Sequence, residues 1–550
     1  MRNRLPLRAL SAGLLTLLVL PLAAHAQDTT PPQFLSPNPR LRRNPIRAVP
    51  QSALMRVVTD EPTQLFFEFD DGVNPPRLEL ADDEFTTDHR RIPVIGMKHF
   101  RTTDIRVIVR DQAGNESVWP GPIVWPARTI PSVFPPLNVE LNNTADMEPG
   151  YTLFVASSTQ LGQRWMIILD DQGDVVWYYF NPNEGGANVE MLENSNLLWM
   201  SRRHAIEMTR TGKIEGKWYP GRMDGGAGMD SDAIFVDTDS FHHELTELPA
   251  SEEADFLALG SRLHVLPNYP DDVSDTSITV ATQNVISDTI IEFKRDGTIV
   301  SEIDLIDILD PYRMCYDSLN TFWSGPTSIY NNIEPDIFTR DPFHANAVTI
   351  DTRDNTYVVS VRHQDAFVKI DRETGELVWI HGSHDRWEPE FQPFLLDPLG
   401  PPFEWQFHQH AVEVSNSGNF LMFDNGNHRA VPPALGLPLE QSYSKAVEYN
   451  IDEVAMTTRQ EWKYGARLQT DPDHMFSRFI CDADQLPVTD NVLVCNGGIA
   501  EVGVPVRFAE LIEVSYERPP VEVFKATLRD PNDAVSWTIY RAERIPSLYP

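Results

Sequence analysis

Asp170-Asp-Gln-Gly-Asp-Val-Val-Trp177 ends one strand in a glycine turn and starts the next on a Val-Val-Trp run. The same phrase returns at Thr209-Arg-Thr-Gly-Lys-Ile214, Lys294-Arg-Asp-Gly-Thr-Ile-Val300 and Asp371-Arg-Glu-Thr-Gly-Glu-Leu-Val-Trp379. Weaker copies lie at Asn450 to Trp462 and at Val514 to Phe524. Each follows another strand with its own turn, as in Leu192-Glu-Asn-Ser-Asn-Leu-Leu-Trp199, Val414-Ser-Asn-Ser-Gly-Asn-Phe-Leu-Met-Phe423 and Leu486-Pro-Val-Thr-Asp-Asn-Val-Leu-Val494. Six such units fit between Asp146 and Pro550. One antiparallel sheet cannot bury both of its faces; six arranged radially bury them against one another. The expected fold is all-β, a six-bladed β-propeller over residues 131–550. Ser536-Trp-Thr-Ile-Tyr-Arg541 is placed to supply the strand that closes the ring. Another all-β architecture of hairpin repeats is the alternative.

Upstream, Gln64-Leu-Phe-Phe-Glu-Phe69, Arg77-Leu-Glu-Leu80 and Asp104-Ile-Arg-Val-Ile-Val109 alternate apolar with polar residues, the period of half-buried strands. Asp111-Gln-Ala-Gly-Asn115 reads as a turn. These strands predict a small immunoglobulin-like β-sandwich over residues 27–130. Pro126 to Pro149 is proline-rich and reads as the passage between the two units. Glu302 to Tyr312 has helical character, and Trp387 to Phe407 is rich in Pro and aromatics. On a propeller such insertions build the walls of the funnel.

Residues 1–26 read as a signal peptide. Arg2, Arg4 and Arg8 precede an apolar run, and Ala24-His-Ala26 fits a small-x-small cleavage site. The run is short for a membrane span, so the mature protein is expected to be soluble and exported to the periplasm, without membrane insertion. The full 550-residue sequence carries 45 Lys+Arg against 80 Asp+Glu, a formal charge of −35. Such a surface repels nucleic acid, and an anionic substrate needs a local basic pocket. Cys315, Cys481 and Cys495 are the three cysteines. A Cys481–Cys495 bridge and three buried thiols are both compatible with them.

Three repeats begin on a histidine: Phe241-His-His243-Glu-Leu, Phe343-His344-Ala-Asn346-Ala-Val348 and His408-Gln-His410-Ala-Val412. The innermost strand of each blade lines the axial channel, so these imidazoles are expected to converge from different blades. A lone His is more often a hydrogen-bonded structural residue, but three in equivalent places favour a site. Arg362 ends the apolar strand Tyr357-Val-Val-Ser-Val361. A guanidinium there pairs either with a neighbouring carboxylate or with the oxygens of a sulfate, phosphate or carboxylate ligand.

The ordered set His242-His-Glu-Leu245, Phe343-His-Ala-Asn-Ala-Val348, Ser360-Val-Arg-His-Gln364, Lys369-Ile-Asp371 with Trp379, Gln409-His-Ala411 and Phe423-Asp-Asn-Gly-Asn427 resembles the bacterial arylsulfate sulfotransferase family. The resemblance runs through to Tyr540-Arg-Ala-Glu-Arg-Ile-Pro-Ser-Leu-Tyr549. It implies a periplasmic propeller enzyme that moves a sulfuryl group from an aryl sulfate to a phenol with no cofactor and no metal. By the same resemblance His410 is the nucleophile that becomes sulfo-histidine, with His243, His344 and Arg362 as its catalytic partners. The spacing to the Leu-Pro turn favours His243 over His242, and Gln409-His410 is the family-like dipeptide. Phe343, Asn346, Trp405 and Phe407 are the candidate substrate-binding residues, with Trp387 and Phe403 as further stacking candidates. The implied partners are a small aryl sulfate and a phenolic acceptor, with a homodimer as a possible assembly. One departure stands out: Arg362 to His410 contains no cysteine. The disulfide found there in some members is therefore absent, and dependence on a disulfide-forming partner is in doubt. The rival readings are a metal-dependent propeller hydrolase and a non-catalytic binding or adhesion protein.

Overall fold

A computed structural model describes residues 28–180, 188–201, 204–468, 470–471, 474–501 and 503–549. The signal-peptide reading of residues 1–26 lies outside them. Strands dominate, and helix among the described residues is confined to single 3₁₀ turns such as Leu305–Asp307, inside the segment expected to be helical. No helix among these residues is long and apolar enough to cross a membrane.

Six sheets of four or five strands follow one another, and neighbouring sheets touch in cyclic order, the sixth against the first. This is the six-bladed ring that the repeats predict. The inner strands are Thr538–Ile545 in blade 1, Val189–Met191 in blade 2 and His242–Glu247 in blade 3. Ala345–Asp351, His410–Val414 and Asp482–Gln485 serve blades 4, 5 and 6. Two long-range pairings close the ring. Thr538–Ile545 joins Tyr151–Ser158 at the inner edge of blade 1, and Leu137–Asn142 joins Glu522–Leu528 at the outer edge of blade 6.

The repeated turns owe their shape to glycine. Gly173, Gly212, Gly297, Gly375 and Gly418 all sit at φ between +72° and +88°, where a Cβ is disfavoured. At Gly173 a Cβ would also meet a Val139 methyl at 2.6 Å. The repeated Trp staples one blade to the next. Trp177 Nε1 donates to Arg210 O and Trp218 Nε1 to Arg295 O, each at 2.8 Å, so an outer strand holds the following blade's turn.

The N-terminal strands, chiefly Ala53–Asp70, Arg77–Val94 and Thr103–Asp111, hydrogen-bond as one continuous six-stranded sheet with several register shifts, rather than as two separate sheets. Its apolar face, with Val57, Leu65, Phe67 and Val107, shares a core with Leu153, Trp177 and Trp199 of blades 1 and 2. Lys98 reaches across to Asp170 at 2.8 Å and Asp174 at 3.1 Å, so the first repeat's turn anchors the N-terminal unit. All three cysteines are free, buried thiols, and the Cys481–Cys495 bridge is not formed.

Candidate active site

The inner strands of blades 1, 3, 4 and 5 each begin with a β-bulge. Register shifts fall between His242 and Leu245, Ala345 and Ala347, His410 and Glu413, and Ile539 and Ala542. A bulge breaks the two-residue alternation and re-aims the side chain beside it. His243 and His344 take left-handed backbone at φ +58° and +49°, as does Ala411 at +56°. Such conformations cost on the order of 1–3 kcal/mol each for residues with a Cβ. Three blades therefore hold the same strained turn at the same end of the channel.

The bulges bring the predicted residues together. The rings of His243 and His344 meet edge to face, 4.8 Å between centroids. The charges of Arg362, His344 and Arg541 reach His410, and those of His344 and His410 reach His243. Burial, reinforced by these positive neighbours, holds both His243 and His410 well below the usual imidazole range. Both are neutral at physiological pH.

The tautomer of His410 follows from its partners. Asn425 Nδ2 donates to Ser477 O at 2.8 Å and to Ile480 O at 3.1 Å, which fixes the amide so that Oδ1 faces His410. His410 Nδ1 lies 2.7 Å from that oxygen and must donate to it. The lone pair is thereby placed on Nε2, where it accepts the Ile480 N–H at 3.2 Å.

His408, two residues away, is a different species. Its Nδ1 lies 2.8 Å from Asp365 and its Nε2 3.2 Å from Asp317. Burial lowers its pKa, but the Asp365 charge and the Asp317 hydrogen bond prevail and push it up to about 9. It is a buried imidazolium with no lone pair to offer. Asp317 also receives Arg362 Nη1 at 3.2 Å, while Arg362 Nη2 donates to Arg478 O at 3.1 Å. Arg362 Nε is buried with no hydrogen-bond partner among the described residues.

Two acid–histidine pairs flank this centre. His344 Nδ1 lies 2.6 Å from Asp341 Oδ2. His242 Nε2 lies 2.8 Å from Gly260 O and 3.3 Å from Asp288, and its Nδ1 lies 2.8 Å from His243 Nδ1. Gly260 O can only accept, so His242 Nε2 carries a proton and His242 Nδ1 accepts from His243 Nδ1; His243 Nε2 therefore presents a lone pair, and a proton only when the pair takes up one more. The Arg541 guanidinium, from the ring-closing strand, is braced by Glu244 at 2.7 and 2.9 Å. Asp341, His344 and His363 are the one grouping here with metal-ligating atoms within 4.8 Å of one another. The rings of His344 and His363 stack at 17°, so their in-plane lone pairs run side by side and do not converge on one ion.

Of the four predicted substrate-binding residues, Phe343, Trp405 and Phe407 pack into apolar clusters, whereas Asn346 stays beside the site, its carbonyl accepting from Arg541 Nη2 at 2.8 Å. Phe343 is sealed in a core with Leu259, Val359 and Trp387, because the bulge after it turns His344, not Phe343, into the channel. Asn346 Nδ2 donates to Gln409 O at 2.8 Å, tying blade 4 to blade 5. Trp405 and Phe407 pack with Cys315 and Val431, and Trp405 stands edge-on to His381, away from the site histidines. Phe403 joins Trp405 there, and Trp387 takes the Arg313 guanidinium on its face. The aromatic side chain against the site is Phe322, from the insertion between blades 3 and 4. It is 59% exposed, with its centroid 5.2 Å from His344 and 6.5 Å from His243. Tyr540 stands 6.2 Å from His243 on the other side. Phe322 lies in aperiodic sequence and left no signal, whereas Arg541 and Tyr540 were visible as part of the closing strand.

The family model described as Arylsulfotransferase (ASST) matches residues 138–540. Arylsulfate sulfotransferase AssT of Escherichia coli O6:H1 is 30% identical over 307 residues, 49% of this chain and 48% of that protein. The protein of the same name from Lelliottia amnigena is 28% identical over 298 residues, 47% of each chain. The chain thus spans about half the length of the curated relatives it matches. Apo AztD from Citrobacter koseri covers 88% of this chain and 98% of its own at 11% identity and a TM-score of 0.27; the blade assignment rests on the sheet order itself.

Proposed function

Since the chain belongs to the arylsulfotransferase family, we propose that it transfers a sulfuryl group from a phenolic sulfate ester to a phenolic acceptor through a sulfo-histidine at His410. The observation that carries this reading is the fixed tautomer: Asn425 holds the Nδ1 proton and leaves the lone pair on Nε2. A neutral imidazole is a nucleophile at sulfur, and the N-sulfo imidazolium it forms is a good leaving group for the return step. Sulfuryl transfer, like phosphoryl transfer, passes through a loose in-line transition state with charge spread over three peripheral oxygens. Arg362 and the neighbouring histidines supply donors for those oxygens in a water-poor setting.

The two half-reactions balance around one proton. In the first, the Nε2–S bond forms, the S–O(aryl) bond breaks, and the electron pair leaves on the phenolic oxygen. His243 gives that oxygen a proton when the Asp288–His242–His243 chain holds the extra one. In the second, the same chain takes the proton from the incoming phenol, whose oxygen attacks sulfur and releases His410. A phenolate leaving group (pKa about 10) needs modest assistance, and an alkoxide needs far more, which supports the aryl preference. Phe322 offers an aromatic edge beside the donors. The signal-like residues 1–26 support export to the periplasm as the setting.

The experiment is intact mass after treating the protein with an aryl sulfate in the absence of acceptor. One sulfuryl group should be gained by the wild type, and none by His410→Ala, which should also lose transfer to phenol. A gain that survives in His410→Ala sinks the proposal.

A further inference from the structure

The backbone segment Ser477–Ile480, just before the inner strand of blade 6, touches Asn425, Arg362 and His410. Ser477 O and Ile480 O orient Asn425, and Arg478 O accepts both Arg362 Nη2 and Asn427 Nδ2, the latter at 2.9 Å. Ile480 N–H points at the lone pair of His410 Nε2. At rest, therefore, the orbital that must attack sulfur is engaged.

The capping residue is held in an unusual backbone. Ile480 and Cys481 lie in succession at φ +57° and +89°. A β-branched residue at positive φ is a true outlier. It is kept there by its own carbonyl on Asn425, by Cys481 N–H donating to Tyr540 O at 3.2 Å, and by the bare backbone of Gly497 and Gly498 beneath its side chain. At Gly497 any Cβ would collide with Ile539 O, so this floor admits only glycine. The side chain packs against a core cluster, and the effect of this backbone is to aim one N–H at one nitrogen.

We propose that the Ile480 N–H is a transferable donor: it caps His410 Nε2 at rest and passes to a sulfuryl oxygen as the Nε2–S bond forms. The inference rests on the reading of His410 as nucleophile. A sulfuryl oxygen is two bonds from Nε2, so the donor changes acceptor with a small movement and stays satisfied throughout. The lone pair of Nε2 goes into the N–S bond, the S–O(aryl) pair leaves on oxygen, and the amide proton stays on Ile480. Because the bond to oxygen strengthens as charge develops there, it favours the transition state over the resting state. In the resting enzyme the same donor opposes protonation of Nε2, adding to the repulsion from the Arg362 and Arg541 guanidiniums; the imidazoles of His344 and His243 are the other titratable groups that face it.

The test replaces the Ile480 peptide N–H by an ester oxygen, using the α-hydroxy analogue of isoleucine. The matched control is the same change at Cys481, which removes a backbone bond of equal kind to Tyr540 O. The ester at 480 should slow single-turnover aryl release roughly a hundredfold, the loss typical of one such donor. It should also move the acid limb of the rate profile up by about one pH unit, because protonation of Nε2 becomes easier. The ester at 481 should do neither. Equal rates and equal pH profiles for the two esters overturn the proposal. Should the first ester not fold, ¹⁵N-isoleucine labelling of the wild type gives a second reading. The Ile480 amide signal should shift when the sulfo-enzyme accumulates, and a signal that stays put overturns the inference. Mass gain on a residue other than His410 defeats the underlying reading instead, so the two failures are distinguishable.

Discussion

His408→Gln removes a cation that two buried carboxylates share. In the wild type His408 rises from 6.5 to about 9 because Asp365 and Asp317 hold its charged form. At about 1.4 kcal/mol per unit, this is about 3 kcal/mol of stability. The folded value lies above the unfolded one, so that contribution is complete below about pH 6.5 and is lost as pH rises through about 9. The variant leaves Asp317 and Asp365 facing each other without the imidazolium, and it should lose roughly 3–5 kcal/mol near pH 6. Glutamine does not titrate, so the loss of stability that deprotonation of His408 brings between about pH 6.5 and 9 should be absent from the variant's curve. Urea unfolding followed by tryptophan fluorescence between about pH 6 and pH 9.5 measures both curves. A wild-type curve flat over that range, or a variant within about 1 kcal/mol of wild type near pH 6, refutes the assignment of His408 as the charged histidine. The separation of its role from that of His410 would go with it.

Two further outcomes are expected at the site. Asn425→Asp puts a carboxylate 2.7 Å from His410 Nδ1, where the amide oxygen now sits; by favouring the imidazolium it should raise the acid limb of the pH–rate profile by about 1–3 units, and an unmoved limb would show that Asn425 does not face the working histidine. Phe322→Ala removes the exposed ring beside His344. It should raise KM for aryl sulfates roughly two- to tenfold, matching about 0.5–1.5 kcal/mol for one aromatic pair, with kcat nearly constant. A change confined to kcat would contradict a binding role.

The ring and its closing strand were readable because glycine turns and the Trp that follows them recur with the period of a blade. The histidines were readable for the same reason: Phe241-His-His243, Phe343-His344 and Gln409-His410 occupy one place in three repeats. What failed was the direction of their neighbours. Reading Phe343 and Asn346 as substrate contacts presumes that strand alternation runs unbroken through the histidine. The bulges at Ala345 and His410 invert it, so Phe343 turns into the core. What sets His408 apart from His410 is Asp365 against the one and Asn425 against the other, and Asp365 lies 43 residues from His408, a pairing that spacing does not reveal. Phe322 belongs to an insertion without periodicity, and its position depends on the walls that insertion builds. The N-terminal strands were legible singly, but alternation within a strand does not tell one continuous sheet from two.

Tyr540 and Arg541 belong to Thr538–Ile545, the strand whose docking finishes blade 1. Assembly and arming are consequently one event. Until Thr538–Ile545 pairs with Tyr151–Ser158, blade 1 lacks its inner strand and Arg541, one of the two guanidiniums that bear on His410, is not in place.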